Sequence, residues 1–395
     1  MNTSRITYAR ILAVCIFFSI PPFFLWHSKL VALFNVLAGL LCFSFIKSTS
    51  VKADNPPISA SVLLAISYVW LCTINTANFF GIITTLAIVP LFFMPGRSIN
   101  EVYNFFVKFM ASLLSLSLVV YVFVVILGVN FPHTTIEPLN LSKIDTYYQY
   151  YFLVKKADVL SGFRFYGLFD EPGVIGTIVS VVLLIERFNF KKWYNIILFI
   201  SGILSFSLAF YLVAIVYLLF ILPFKQRLIL IAVIVVSIYY LYENETVYTL
   251  LFQRFEMRDG LLRGSNRTSG DFDEYFVRFI HSSNLWFGSG AGTSAIVNAG
   301  GASYKDLIVD YGVVFFLFYV ISWCFYFFRK KFSIQKKSIA FAIMVLILYQ
   351  RPFIGNWLYV FLMTLFPCCF VDKVPEKKNI KKFKCKYEKA SIYER

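Results

Sequence analysis

An all-α fold of membrane-spanning helices is what this sequence predicts, and three observations predict it. Of 395 residues, 59% are hydrophobic and only 15% charged, a balance foreign to ordinary soluble domains. The apolar residues gather into about twelve stretches near the length a helix needs to cross a hydrocarbon core about 30 Å thick. The cationic residues are shared unequally between alternate connections, as they are in an oriented polytopic integral membrane protein.

The stretches run over 8–25, 30–46, 58–75, 78–94 and 103–129, then, after a polar interruption at 130–171, over 172–187, 194–207, 208–223 and 228–242. A longer interruption at 243–306 precedes 307–328, 338–350 and 355–371, and a basic tail fills 372–395. The first stretch could pass for a secretory leader, but no small-residue cleavage site follows it and Pro21-Pro22 end it. It therefore reads as a signal anchor. Merging the closely spaced pair at 194–223 would invert everything downstream, so charge must decide the topology. With twelve spans and both termini cytoplasmic, 24 of the 37 Lys and Arg fall inside, 12 outside, and Lys108 within a span. Acidic residues go the other way, 14 of 21 lying outside. The net charge of +16 is thus an orientation signal with a basic tail, and nucleic acid is not an expected partner.

All seven cysteines (Cys15, Cys42, Cys72, Cys324, Cys368, Cys369 and Cys385) lie in spans or in the tail. An oxidising compartment finds nothing to bridge in the two interruptions, and no Cys or His spacing matches a metal site. His27, His133 and His281 are too scattered for one, so no metal or other cofactor is expected. Span centres are nearly free of charge. Lys108 lies about one turn inside its helix and can snorkel outward, and Glu186 sits at a span end beside Arg187. Ion-coupled carriers hold charge at mid-membrane and many show inverted repeats; neither feature is present, which argues against transport.

Chemistry is therefore expected where the two interruptions meet the membrane surface, both on the external face. The first carries Tyr147, Tyr148, Tyr150 and Tyr151, which read foremost as an interfacial aromatic belt and alternatively as a platform for sugar rings. In the second, Asp271 is a candidate N-cap with Glu274 three residues on. Phe272, Tyr275, Phe276, Phe279 and Ile280, then Trp286 or Phe287, follow at helical spacing. They predict an amphipathic helix lying apolar face down on the outer membrane surface. Glu274, Arg278 and His281 occupy its other face.

Five arginines in the second loop, Arg254, Arg258, Arg263, Arg267 and Arg278, together with Arg164 in the first, are the strongest chemical signal. A guanidinium stays protonated at any working pH and grips phosphate oxygens through a planar fork of donors. Single members have plainer readings: Arg278 stands four residues after Glu274, the spacing of a surface ion pair, and Arg258-Asp259 suits a solvated loop. Two or three of the five are expected to touch substrate. Gly288 and Gly290 suit either a nest of backbone N–H groups for an anion or a simple helix break. Glu171 precedes Pro172 at a helix N-terminus, where the dipole favours a carboxylate; the other reading is a base, or a group orienting a hydroxyl, close to Arg164.

Taken in order, four motifs resemble the O-antigen polymerase and ligase superfamily over roughly residues 160–325. They are Arg164-x-x-Gly167-x-Phe169-x-Glu171-Pro172, Arg267-x-Ser-Gly270, Trp286-Phe-Gly-Ser-Gly290, and Tyr304-x-x-Leu307-x-x-Asp310-x-Gly312. The resemblance implies a helical membrane fold of the C-type glycosyltransferase kind in the bacterial inner membrane. It implies transfer of sugar chains off undecaprenyl pyrophosphate on the periplasmic side, without a metal. Ligases of that superfamily carry a His-Asn pair shortly before the tyrosine of the last motif. Here those places hold Gly301 and Ala302, and His281 on the preceding helix is no evident substitute, so the resemblance favours a polymerase.

The implied partners are an undecaprenyl-pyrophosphate-linked oligosaccharide, membrane lipid and a chain-length regulator protein. The implied catalytic residues are Arg164 and Arg267 on the pyrophosphate and Glu171 on the acceptor hydroxyl. Arg278, Arg254, Arg258, His281, Gly288 and Gly290 are the implied substrate contacts. The rival expectations are a ligase moving finished polymer to a lipid A core and, from other classes, a flippase or transporter of lipid-linked sugars or a scaffold.

Overall fold

Helices carry the fold, as the apolar periodicity predicts. The computed structural model describes residues 3–47, 57–74, 79–139, 145–158, 162–243, 248, 257–258, 261–262, 270–297, 303–328 and 334–369. Among these lie fourteen α-helices. The first five are α1 (Thr3–Phe18), α2 (Leu30–Lys47), α3 (Ile58–Ile74), α4 (Phe79–Leu86) and α5 (Gly96–Tyr121). The middle group comprises α6 (Pro172–Ile185), α7 (Trp193–Leu204), α8 (Leu208–Ile221) and α9 (Phe224–Tyr242). After these come α10 (Gly270–Phe279), α11 (Thr293–Val297), α12 (Tyr304–Phe327), α13 (Ile334–Gln350) and α14 (Trp357–Cys369).

Among the described residues, two helical segments are long and apolar enough to cross a membrane, Gly96–Ile126 and Tyr304–Phe327. The first is α5 continued by a π-helical turn over Val122–Ile126. The closely spaced pair at 194–223 resolves into two helices, α7 and α8, rather than one. Helix boundaries depart from the apolar stretches where a helical turn is polar. Thus α5 begins at Gly96, directly after Pro95, because its first turns hold Arg97 and Glu101, and Glu101 pairs with Arg5 at 3.0 Å. The stretch 78–94 bends instead of running straight: α4 gives way to a 3-10 turn, Val89–Phe93, entered at Pro90, where the ring removes a helical donor.

At the centre stands α6, with every residue but Gly173 buried, as a helix apolar on all sides must be. It packs against α7, α8, α13 and α14, while α5 packs against α1, α7 and α14. On the other flank α12 lies against α3 and α13. By contrast α9, which rests on α8, exposes Leu228, Ile229, Val233, Val235, Val236, Ile238 and Tyr240 around nearly its whole circumference.

The described residues are mostly helical, in keeping with the all-α expectation, and carry a small sheet besides. The first interruption folds into a small antiparallel sheet of β1 (Thr134–Ile136), β2 (Tyr147–Gln149) and β3 (Val154–Lys156), in that order. Thr135 faces Tyr148 across the first pair and Tyr148 faces Lys155 across the second. Short runs of Thr, Ile, Tyr and Val favour a pleated surface but are too brief to stand out beside twelve apolar stretches. The sheet also revises the aromatic belt, because Tyr147 and Tyr150 are buried in the protein core while Tyr151 is exposed. A second pair, β4 (Met257–Arg258) and β5 (Leu261–Leu262), lies in the longer interruption.

The amphipathic helix is present as α10, but its start and end differ from expectation. It begins at Gly270, placing Asp271 inside the first turn instead of at the N-cap, and stops at Phe279. Part of its apolar face packs on protein: Phe272 and Phe279 are buried together with Val309 of α12, and Tyr275, Phe276 and Ile308 pack around them. Lys305 fastens the same contact, its Nζ standing 2.7 Å from Asp273 Oδ1 and 5.1 Å over the Phe276 ring.

Candidate functional site

The motif closing the first interruption is fastened at almost every residue. Phe165 donates its N–H to the Leu204 carbonyl (2.8 Å), the Gly167 carbonyl accepts from Val154 (2.9 Å), and the Leu168 carbonyl accepts from Phe23 (2.8 Å). Phe165, Tyr166, Leu168 and Phe169 are buried. Arg164 is half-buried, and its fork points at backbone: Nε donates to the Ser205 carbonyl (3.1 Å) and Nη2 to the Phe206 carbonyl (3.2 Å). These carbonyls follow α7, where unpaired acceptors and the negative end of the helix dipole both favour a cation.

Burial pushes the Tyr166 phenol well above its ordinary pKa; the Arg164 guanidinium opposes this, and the Glu171, Asp145 and Asp158 carboxylates add to it. Arg164 and Glu171 therefore act on the same phenol. Tyr147 donates to the Asp170 carbonyl (3.2 Å) and is also raised, by burial first and then by Tyr166 and the carboxylates of Asp170, Asp145 and Glu171.

Glu171 occupies the N-cap position of α6 with Pro172 at the first helical position, as the sequence predicts, yet its side chain caps nothing there. Its Oε2 instead accepts from Nη2 of Arg351 at 2.5 Å. Arg351 stands in the turn between α13 and α14, and its side chain is 9% exposed against 30% for Glu171. Burial is the largest single influence on the Arg351 pKa and would lower it, but Glu171, Tyr359 and Asp170 together outweigh it and the net shift is upward. Arg351 Nε is buried without a hydrogen-bond partner. Gly173 explains how the guanidinium fits against the first turn of α6: a Cβ there would lie 2.8 Å from Arg351 Nη2.

The longer interruption reaches the same end of the bundle through α12. Its helix starts with a cap in which Ser303 N–H donates to Asp306 Oδ2 (2.7 Å), and it kinks at Gly312, φ 83°. The glycine run folds over this kink. Ser289 N–H donates to the Val309 carbonyl (2.8 Å) and Gly290 N–H to the Asp310 carbonyl (3.2 Å). The buried Asp310 carboxylate accepts from Gly292 N–H (3.2 Å), Ser294 N–H (2.7 Å) and Ser294 Oγ (3.0 Å). The backbone donors to this carboxylate are Gly292 and Ser294; Gly288 N–H donates to the Asn284 carbonyl (2.7 Å), so Gly288 and Gly290, which read as an anion nest or a helix break, both spend their N–H groups on backbone carbonyls. Beside it a cavity of about 260 Å³ is lined by Ser294, Asp306, Asp310, Tyr311 and the segment from Pro352 to Gly355. The end of the first loop, the end of the second and the α13–α14 turn thus converge.

Arg164 turns to the Ser205 and Phe206 carbonyls while Glu171 pairs with Arg351, and Gly288 and Gly290 lie against α12. Arg278 and His281 are exposed on the outer side of α10 and the turn after it. Arg258 belongs to β4, its backbone opposite Leu261; Arg254, Arg263, Arg267 and the tail from 370 onward lie outside the described residues. Arg351 was not singled out from sequence. Its signal was an Arg-Pro pair isolated between two apolar stretches, with no acidic residue anywhere from 311 to 371. No His, Cys, Asp or Glu cluster able to hold a metal occurs among the described residues. The chain matches no family model, no curated protein and no solved structure.

Proposed function

We propose that this chain is a polytopic enzyme of the bacterial inner membrane that polymerises lipid-linked glycan repeat units on the periplasmic face. Multiple spans are supported by α9, whose apolar side chains face outward on nearly every side; lipid is the solvent that suits such a surface. The observation that carries the enzymatic reading is the Glu171–Arg351 pair, a carboxylate backed by a buried guanidinium where three polar segments converge.

In this reading the growing glycan is held through its undecaprenyl pyrophosphate. The terminal hydroxyl of a fresh lipid-linked unit attacks the anomeric carbon, the bond from that carbon to the pyrophosphate oxygen breaks, and the pyrophosphate departs on the lipid with the electron pair. The hydroxyl proton passes to Glu171. Charge develops on the leaving group, so fixed cations near it stabilise the transition state beyond the ground state. Arginines of the long loop, Arg267 foremost and then Arg278, Arg254 and Arg258, take that role, with His281 at its edge. Arg164 braces the α7–α8 turn beneath the site.

Purified protein supplied with lipid-linked repeat units should extend them, and Glu171→Gln and Arg267→Ala should leave single units while still accumulating at full length. In cells a polymerase null keeps core plus one repeat unit, a ligase null shows bare core, and a flippase null keeps the units on the cytoplasmic face. Normal long chains from both variants would sink the assignment.

A further inference from the structure

We infer that Arg351 is the positioning residue for Glu171, holding its carboxylate toward the acceptor hydroxyl at the open end of the bundle. The inference rests on the reading just given and deepens it. Three features carry it. The two side chains differ in depth, 9% exposed for Arg351 and 30% for Glu171, so the guanidinium lies behind the carboxylate and the carboxylate faces outward. Glu171 makes no side-chain cap to its own helix, although the free N–H groups of a helix start are the nearest donors to a residue at that position. And Gly173 leaves the space in which Arg351 Nη2 sits.

Stability alone gives a poor account of this arrangement. A buried ion pair is commonly no better than well-packed apolar residues, and Arg351 Nε is left without a partner. What the pair does provide is a carboxylate fixed in direction. Other charged or titratable groups acting here are Asp170, Asp145, Asp158, Arg164, Tyr147 of β2 and Tyr166 around Glu171, and Tyr359 of α14 beside Arg351. Arg351 brings a positive charge against the Glu171 carboxylate at hydrogen-bond distance. Loss of that charge should both loosen the carboxylate and favour its protonated form.

The test is steady-state kinetics of chain extension by full-length purified protein with lipid-linked repeat units, normalised to monodisperse protein. Arg351→Lys keeps the charge and loses the fork; kcat should fall about tenfold and Arg351→Ala about a hundredfold, with the donor KM within about twofold of wild type. Activity of Arg351→Ala, which loses the charge, should also fail at a higher pH on the acid side. The exchanged pair, Glu171→Arg with Arg351→Glu, should recover thermal stability but not activity, because the carboxylate then sits at the buried position. An exchanged pair as active as wild type, folded Arg351→Lys protein with wild-type kcat, or folded Arg351→Ala protein with the wild-type pH profile overturns the positioning role and leaves the polymerase reading intact. If the exchanged pair does not fold, the Arg351→Lys result decides alone. Wild-type protein that extends no unit overturns the reading and this role together.

Discussion

Gly288 and Gly312 meet backbone to backbone. A Cβ on Gly312 would lie 2.6 Å from the Gly288 nitrogen and 2.3 Å from the Trp286 carbonyl oxygen, and one on Gly288 would lie 2.3 Å from the Asp310 carbonyl oxygen. Both residues also have φ near 83°, where a side chain is disfavoured by about 1–3 kcal/mol. The opposing atoms are main chain, so no flexible side chain can move aside. Gly290 is the internal comparison: its φ is 105°, but a Cβ there meets nothing within 4 Å. Thermal midpoints in detergent should therefore fall modestly for Gly290→Ala and much further for Gly288→Ala and Gly312→Ala. Equal falls for all three would refute close packing as the reason for these glycines.

Asp310 is the second clamp on the same fold-over. Its carboxylate collects three donors from Gly292 and Ser294, and each such bond to a charged group is worth about 1.5–3 kcal/mol. Asp310→Ala should release α11 from α12, seen as loss of amide protection across residues 290–297 while α6 stays protected. Asp310→Asn keeps one acceptor oxygen and should fall between the two. Unchanged protection in Asp310→Ala would show that the glycine run is held by α12's backbone alone.

The helical fold was legible because burial in lipid or in a bundle interior demands long apolar runs, and α6, α7 and α8 follow those runs closely. Legibility failed where a few polar residues decide geometry. The start of α5 was hidden by Arg97 and Glu101, which are helical without being apolar. The sheet at 134–156 was hidden because its strands are three residues each. Glu171 was readable from its place before Pro172, but its partner is 180 positions away, and local spacing carries no information about such a pair. Gly288 and Gly290 read from sequence as an anion nest or a helix break; that their N–H groups meet backbone carbonyls while Gly292 and Ser294 serve the Asp310 carboxylate depends on the kink at Gly312, a tertiary event.

Burial of α10 on α12 leads to a third expectation. Phe272 is fully buried and Phe279 nearly so, whereas Val277 on the same helix is 57% exposed. Truncating a buried phenylalanine costs about 3–5 kcal/mol, here confined to the small cluster around Val309. Phe272→Ala should make residues 270–285 sensitive to protease without lowering the midpoint of the main bundle, and Val277→Ala should do neither. A helix resting on lipid would behave otherwise, protected in membranes whichever residue is truncated.

Arg164 separates a structural from a substrate-binding role. Its two hydrogen bonds to the Ser205 and Phe206 carbonyls close the end of α7, and losing them should cost about 1–3 kcal/mol. Lysine has a point charge where arginine has a fork, so Arg164→Lys can reach one carbonyl and should recover only part of the loss. If the brace is its role, glycan chains shorten in Arg164→Ala cells in step with the amount of folded protein, and kcat per folded molecule stays within about twofold. A donor KM raised tenfold or more at normal stability would instead place the guanidinium on the pyrophosphate. Since Nε and Nη2 each donate to a carbonyl just after α7, the first outcome is the expected one.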